Sequence, residues 1–332
     1  MHSPRTLPLL TATLLCTSLS GPACKSTKPS EEELARQIEI HTESTIGYLD
    51  MGEVGRAIDQ ALRGLSLAPD DFKLRLFLGR ALQKRGSVED LLQAEMVFRD
   101  LHPSEDFRVS LGLGEVLERK GLALDEAARG VAVGQRAAGP DSATQSLRLE
   151  RDARAAWEES LTAYERALAL RPNDHEAMTG ALRVTSLLGD HEAGLAWAEA
   201  ILNSAGADRS FWRMQLERPE LSGRDEQSAR DNIARLDDLE LAVQLQAAST
   251  LVRMERKPDA VERLERASAL APDLAVLHSR RAQLLVELGR YEEGLAEIDE
   301  YLRLSDGLSF EHPDIRRAYN LQQICRNSLA GG

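Results

Sequence analysis

The sequence predicts an all-α solenoid of about eight helical hairpins closed by a C-terminal helix. Three observations support this prediction: prolines that recur at a fixed period, glycines that recur in the same phase, and apolar residues at helical spacing. Pro69 and Pro103 lie 34 residues apart. Pro172 and Pro272 follow at intervals of 69 and 100 residues, close to two and three periods. Because proline cannot continue a helix and cap-type residues follow each of these prolines, each junction is expected to end one helix and open the next.

Glycines give an independent measure of the same period. Gly52 and Gly86 are 34 residues apart, and so are Gly189 and Gly223. Placing the glycine at the fifteenth residue of each unit gives eight units that start at residues 38, 72, 107, 141, 175, 209, 241 and 275. Two units lack the glycine and have Ala155 and Glu255 instead. This residue ends the first helix of a hairpin, where a left-handed backbone favours glycine.

Small and apolar residues complete the pattern. Ala260 lies five residues after the fifteenth position of its unit, and Leu264 and Ala267 follow at helical spacing. A small residue there allows the two helices of a hairpin to approach closely, and the apolar stripe is the face that each helix buries.

A 34-residue helix–turn–helix unit with these residues resembles the tetratricopeptide repeat. The segment Leu78-Gly79-x₂-Leu82 with Gly86 and Pro103 matches the family pattern, as do Ala260, Leu264 and Ala267 with Pro272. The resemblance covers residues 38–308 and implies a right-handed superhelix. Units 141–174 and 209–240 depart from the pattern, and the alternative is a helical protein of another kind.

The C-terminal residues 309–332 are expected to form a last amphipathic helix that covers the open end of the stack. Cys325 lies on the apolar stripe of this helix, so we expect it to be a packing residue.

The composition argues against some classes of partner and site in this protein. The 332 residues include 41 Lys and Arg against 54 Asp and Glu, which gives a net charge of −13 and disfavours nucleic acid as a partner. Three cysteines without metal-ligand spacing predict neither a disulfide framework nor a metal site.

The N-terminal residues are typical of an export signal. Arg5 precedes an apolar stretch from Leu7 to Leu19, and small residues lead up to Cys24. Residues 1–23 are therefore expected to be a signal peptide, and residues 24–37 a lipidated cysteine followed by a polar tether. The junction before Cys24 resembles a bacterial lipobox, although Gly21 stands where leucine is usual.

This resemblance implies a palmitate-type acyl anchor on Cys24 in the outer membrane, facing the periplasm. The alternative is ordinary cleavage, which would give a soluble periplasmic protein.

No group of residues predicts catalysis. His175-Glu176 and His191-Glu192 begin like a zinc-binding HExxH motif, but Thr179 and Leu195 stand where the second histidine is needed. No phosphate-binding glycine loop is present either. The sequence therefore predicts a protein that is not an enzyme. It gives no sign of a cofactor, a metal ion or a small-molecule substrate.

A partner protein is expected in the groove that first helices line in this family. The unit positions facing that groove in the family give a locally basic set in an acidic chain, which Glu115 dilutes. The set is Lys73, Leu76, Arg80, Gln83, Lys84, Arg108, Leu111, Glu115 and Arg119. One interpretation is a groove for an acidic or extended peptide, with the leucines as its floor. The other is an ordinary solvated helix face. Phe211 and Trp212 are expected to fill the core of a misshapen repeat, the alternative being interface anchors.

These features favour a membrane-anchored scaffold that mediates protein–protein interactions during assembly of an envelope machine of the secretin, pilus or outer-membrane biogenesis type. A soluble periplasmic adaptor, or an accessory protein that recruits a cell-wall enzyme, is the alternative.

Overall fold

The computed structural model describes residues 30–134, 140–218, 220 and 222–331. The predicted signal peptide and Cys24 lie outside these residues. Within them the chain forms thirteen α-helices and no strand. The helices are α1 (Glu31–Asp50), α2 (Val54–Leu67), α3 (Phe72–Arg85), α4 (Val88–Leu101), α5 (Phe107–Gly134), α6 (Pro140–Leu170), α7 (His175–Leu188), α8 (His191–Leu216), α9 (Gly223–Arg253), α10 (Lys257–Leu270), α11 (Ala275–Glu287), α12 (Tyr291–Leu304) and α13 (Pro313–Gly331).

Consecutive helices pack against each other as hairpins. The first helices of neighbouring hairpins are also in contact: α1 packs against α3, and α3 packs against α5. The predicted all-α solenoid is confirmed. Each hairpin buries its stripe against the next, so the core runs along the stack and not around one centre.

Local chemistry explains where most helices begin and end. The side chain of Asp71 accepts a hydrogen bond from the Leu74 N–H at 2.8 Å and so caps α3. Gly86 ends the same helix with φ at +76°. Gly52, Gly189 and Gly289 adopt the same left-handed conformation. The predicted helix starts at residues 72, 107, 175 and 275 coincide with the first residues of α3, α5, α7 and α11.

The division into units differs from the sequence expectation between α5 and α6. Gly121 lies inside α5, and Ala155 lies inside α6, so neither ends a helix. Gly121 is required for another reason: a Cβ there would lie 2.3 Å from Nε1 of Trp157. This glycine marks a close crossing of two helices. The first part of α5 pairs with the last part of α6 as one hairpin. Residues 121–134 of α5 and 140–156 of α6 extend that hairpin.

A second extension joins α8 and α9. The predicted unit starts at 209 and 241 fall inside these two helices, and the start at 38 falls inside α1. After its first residue, α9 contains neither glycine nor proline, so nothing interrupts the helix at residue 241. Within the described residues the helices therefore form six hairpins of repeat type, with two long helical extensions.

The second extension also changes the expected place of its aromatic residues. Trp212 is partly buried, but Phe211 is 48% exposed and Met214 is 59% exposed. The prediction that Phe211 fills the core is wrong. The reason is that Arg209, which reaches Asp237 and the Leu236 carbonyl, occupies the face of α8 turned toward α9.

The last helix covers the end of the stack as predicted. Ile315, Ala318 and Cys325 are buried and pack with residues of the preceding hairpin. The other face of α13 carries exposed arginine, asparagine and glutamine side chains. Cys325 is a free, buried thiol, which agrees with its predicted packing role.

Glu255 stands at the unit position where six other units have glycine, and like four of those glycines it has a positive φ, of +59°. A left-handed conformation costs a non-glycine residue about 1 to 2 kcal/mol, partly offset by the greater freedom of glycine in the unfolded chain. We predict that Glu255→Gly raises the free energy of unfolding by about 0.5 to 1 kcal/mol, measured by urea denaturation.

The matched control is Glu262→Gly, an exposed residue inside the next helix, which should destabilise the protein by about 1 kcal/mol. If the two substitutions have the same sign, the backbone explanation is wrong.

Candidate functional site

The first helices of four successive hairpins enclose an open groove. It has a volume of about 630 Å³ and is lined by side chains of α1, α3, α5 and the start of α7. The lining residues are Ile46, Leu49, Asp50, Phe77, Arg80, Gln83, Lys84, Arg108, Glu115, Arg119 and Glu176. A surface shared by four helices suits an extended ligand better than a compact one.

Four of the five predicted cations line this groove. Arg80 has neither an ion pair nor a hydrogen bond within the described residues. Lys84 Nζ donates to the Leu49 carbonyl oxygen at 3.1 Å, and Arg119 Nη1 donates to the Gln83 carbonyl oxygen at 2.7 Å. Carbonyl acceptors hold these side chains in place without neutralising them. Three positive charges are thus available to a ligand.

Arg108 is the exception among the four. Its guanidinium binds the Asp106 carboxylate, with Nε 2.9 Å from Oδ1, and lies 5.8 Å from the ring centroid of Phe77. The ion pair lowers the pKa of Asp106. Arg108 therefore shapes the wall of the groove more than it offers free charge.

The other predicted groove residues are placed differently. Lys73 is exposed but lies outside the groove lining. Leu76 has no exposed surface and belongs to the core, so its role as a groove floor is wrong. Because α3 packs against α1, α2, α4 and α5, only a narrow strip of it stays accessible. Leu111 is 6% exposed and borders a smaller adjoining opening. Phe77, which is 8% exposed, contributes a small apolar area to the groove lining.

Two glutamates, Glu115 and Glu176, bring negative charge into the same groove. Glu115 accepts a hydrogen bond from Gln83 Nε2 and lies beside Glu176. Burial raises the pKa of Glu115 to about 7, and the neighbouring Glu176 carboxylate also acts to raise it, whereas Gln83 and Arg80 act in the opposite direction. The groove can therefore change charge near neutral pH.

A hydrogen-bond network of the buried Tyr164 and Glu118 with the exposed Arg183 holds three helices together. The Tyr164 hydroxyl donates to Oε2 of Glu118 at 2.7 Å, and Arg183 donates from Nε and Nη2 to the same carboxylate at 2.7 and 2.9 Å. Burial and the Glu118 charge raise the pKa of Tyr164, so the phenol stays protonated and donates. This network joins α5, α6 and α7.

Sequence reasoning missed this network. Glu118 is 46 residues from Tyr164 and 65 residues from Arg183 in the chain. No local pattern connects residues so far apart. The usable signal was Tyr164 alone, on the apolar stripe of its helix.

Among the described residues, no three or more histidine, cysteine, aspartate or glutamate side chains are grouped as a metal site would need. None of the described helices combines the length and apolar character needed to cross a bilayer.

Comparison with known proteins agrees with the geometry of the hairpins. Residues 245–309 match the family model described as tetratricopeptide repeat. Residues 245–309 therefore carry tetratricopeptide repeats. The matched region comprises the end of α9, α10, α11 and α12, where the hairpins are most regular.

Three solved structures that are similar to this chain have low sequence identity to it. A thermophilic tetratricopeptide repeat protein of Thermus thermophilus is 15% identical, with 75% of this chain and 99% of that chain covered and a TM-score of 0.39. A tetratricopeptide repeat protein from Parabacteroides merdae is 13% identical, with coverages of 88% and 100% and a TM-score of 0.37. A MamA structure is 14% identical, with coverages of 83% and 96% and a TM-score of 0.38. No curated protein sequence matches this chain.

The raised pKa of Glu115 has a consequence for stability. Folding raises this pKa from its ordinary 4.5 to about 7, so the folded protein holds the proton more tightly than the unfolded chain. The resulting stabilisation is fully present below pH 4.5 and is lost as the pH rises through about 7. We predict that Glu115→Gln removes about 1 to 3 kcal/mol of pH dependence between pH 5 and pH 8, measured by urea unfolding.

Glu105→Gln is the control, because Glu105 is an exposed glutamate near the start of the same helix. An unchanged pH dependence in Glu115→Gln would show that this carboxyl group titrates normally.

Proposed function

We propose that this protein is a scaffold that binds an acidic, extended segment of a partner protein in the groove between α1, α3, α5 and α7. Tetratricopeptide repeats bind protein partners, and the first helices offer the surface for such binding in this chain. The observation that carries the proposal is a set of three groove cations that form no ion pair within the described residues, Arg80, Lys84 and Arg119, in a protein of net charge −13.

Charge complementarity supports the choice of ligand. Cations without ion-pair partners attract an acidic segment, and they stand out in a chain whose net charge is negative. Phe77 and Ile46 add apolar surface beside the cations, where aliphatic parts of the same segment would rest. The ligand is therefore an acidic stretch with interspersed apolar residues.

A selection from random peptides tests this binding and needs no identified partner. Twelve-residue peptides displayed on phage are panned against a chain that starts at residue 30. We expect enrichment of peptides rich in Asp and Glu, and a loss of affinity of roughly tenfold or more in Arg80→Gln/Lys84→Gln/Arg119→Gln, measured by fluorescence anisotropy.

Lys73→Gln is the matched control, since Lys73 is an exposed cation of the same helix outside the groove. Selected peptides that bind the triple variant as tightly as the unchanged protein would place the binding surface elsewhere.

We further propose that Cys24 carries a lipid anchor and that the scaffold acts in the envelope, in assembly of a secretin, a pilus or the outer membrane. The supporting features are the apolar stretch before Cys24 and the polar residues 25–30 after it. The second candidate is a soluble periplasmic adaptor, or a protein that recruits a cell-wall enzyme. Gly21 in the lipobox favours that candidate.

Metabolic labelling distinguishes the two. A bacterium expressing the full chain is fed an alkyne analogue of palmitate, and membrane and soluble fractions are compared. We predict label on the unchanged protein in membranes, and an unlabelled protein in the soluble periplasmic fraction for Cys24→Ser.

Cys16→Ser is the control, because Cys16 lies in the part that cleavage would remove. An unlabelled wild-type protein, or label that persists in Cys24→Ser, would exclude the anchor.

A further inference from the structure

A second opening lies on the C-terminal half of the solenoid, between the end of α9 and α11. It has a volume of about 360 Å³ and more apolar than polar surface. Ala248, Val252, Leu264 and Leu284 form its floor, and Arg253 and Arg280 stand at its rim. The floor leucines also belong to the core, so the pocket is built on a fixed surface.

The two rim arginines differ from their neighbours. Nearby, Arg256 pairs with Asp259 at 2.7 Å, Arg281 with Glu297 at 3.1 Å, and Arg290 with Glu293 at 2.6 Å. Within the described residues, Arg253 and Arg280 have no carboxylate within 4.0 Å and no hydrogen bond, and both are exposed. The chain has 54 acidic residues, yet none of them pairs with these two arginines within the described residues. Their guanidinium groups, beside one apolar pocket, can therefore bind an anionic group of a ligand.

The register of the repeat places this pocket on the same face as the basic groove. Val252 and Arg253 are the twelfth and thirteenth residues of the unit that starts at 241, as Gln83 and Lys84 are in the unit that starts at 72. The pocket is an open depression on a continuous helical surface. Such a surface suits a side chain of a passing polypeptide, whereas a long acyl chain needs a deeper enclosure to leave water.

We propose that this pocket is a second polypeptide subsite, which holds an aliphatic side chain of the partner with a neighbouring carboxylate bound between Arg253 and Arg280. The inference rests on the proposed function, since it requires that the first-helix face binds a polypeptide. Its chemistry is different: the groove offers mainly charge, and this subsite offers apolar surface with charge at one edge.

The test isolates the second subsite by panning random twelve-residue peptides against the Arg80→Gln/Lys84→Gln/Arg119→Gln chain, in which the groove cations are absent. Enriched peptides are expected to carry Leu, Ile or Val within two residues of Asp or Glu. Their affinity should fall about tenfold or more when Arg253→Gln/Arg280→Gln is added. It should also fall with Val252→Thr, which keeps the shape of the side chain and makes it polar.

Arg224→Gln/Arg235→Gln is the matched control, because it removes two exposed arginines from the same helix α9 outside the pocket and should leave affinity unchanged. Circular dichroism on all variants checks that the helices persist.

Other outcomes would overturn the subsite in distinguishable ways. Peptides that bind only the unchanged groove would refute the second subsite and leave the proposed function standing. Failure to enrich peptides on either protein would refute both. Oleate binding that disappears in Arg253→Gln/Arg280→Gln, without any peptide enrichment on the groove-deficient chain, would assign the pocket to a lipid and overturn the polypeptide assignment.

Discussion

The Tyr164 side chain sets the geometry on which the candidate groove depends. Its ring has no exposed surface and lies between two glycines, and a Cβ would approach the ring to 3.0 Å at Gly114 and to 2.3 Å at Gly180. Its hydroxyl group reaches Glu118, which also holds Arg183. One aromatic ring thus fixes the spacing of α5, α6 and α7. Any larger residue at either glycine has to push a helix away from the stack.

This spacing determines the electrostatics of the groove. Glu115 lies one turn before Glu118 on α5, and Glu176 lies near the start of α7, so the distance between the two helices fixes the distance between these carboxyl groups. The Glu118 carboxylate is satisfied by two hydrogen-bonding partners of its own, whereas Glu115 is partly buried with Gln83 as its hydrogen-bond donor. Two glutamates on one helix therefore play different roles: one holds the fold together, and the other adjusts the charge at the mouth of the groove.

Much of the fold could be predicted from the sequence because the residues that end and begin the helices of a hairpin lie close together in the chain. Gly86 and Gly189 end helices as expected, since a left-handed residue is needed within one turn of the chain reversal. Gly121 has the same spacing but a different cause, because it makes room for Trp157, a contact that no local pattern reveals. Glu255 shows the converse: the backbone keeps the turn although the sequence lacks the glycine.

The candidate site could also be predicted only in part: some of its exposed cations were identified, but the burial of Leu76 was not. The resemblance to the repeat family, which fixes the unit positions that face the groove, identified Arg80, Lys84 and Arg119, and these side chains line it. The same positions assigned Leu76 to the groove, but α3 is packed on several sides by neighbouring helices and Leu76 is buried among them.

The two helical extensions give the solenoid an uneven surface, and this bears on how a partner is recognised. An uninterrupted array repeats one unit and offers similar positions along its whole first-helix face. Here the α8–α9 extension lies in the chain between the helices of the basic groove and those of the apolar pocket. The residues lining the two openings therefore belong to different stretches of sequence and differ in chemistry. A segment that meets both must present acidic residues to one and an aliphatic residue to the other. Specificity would then come from the order of those residues along the partner, because neither opening alone offers enough contacts to select one sequence.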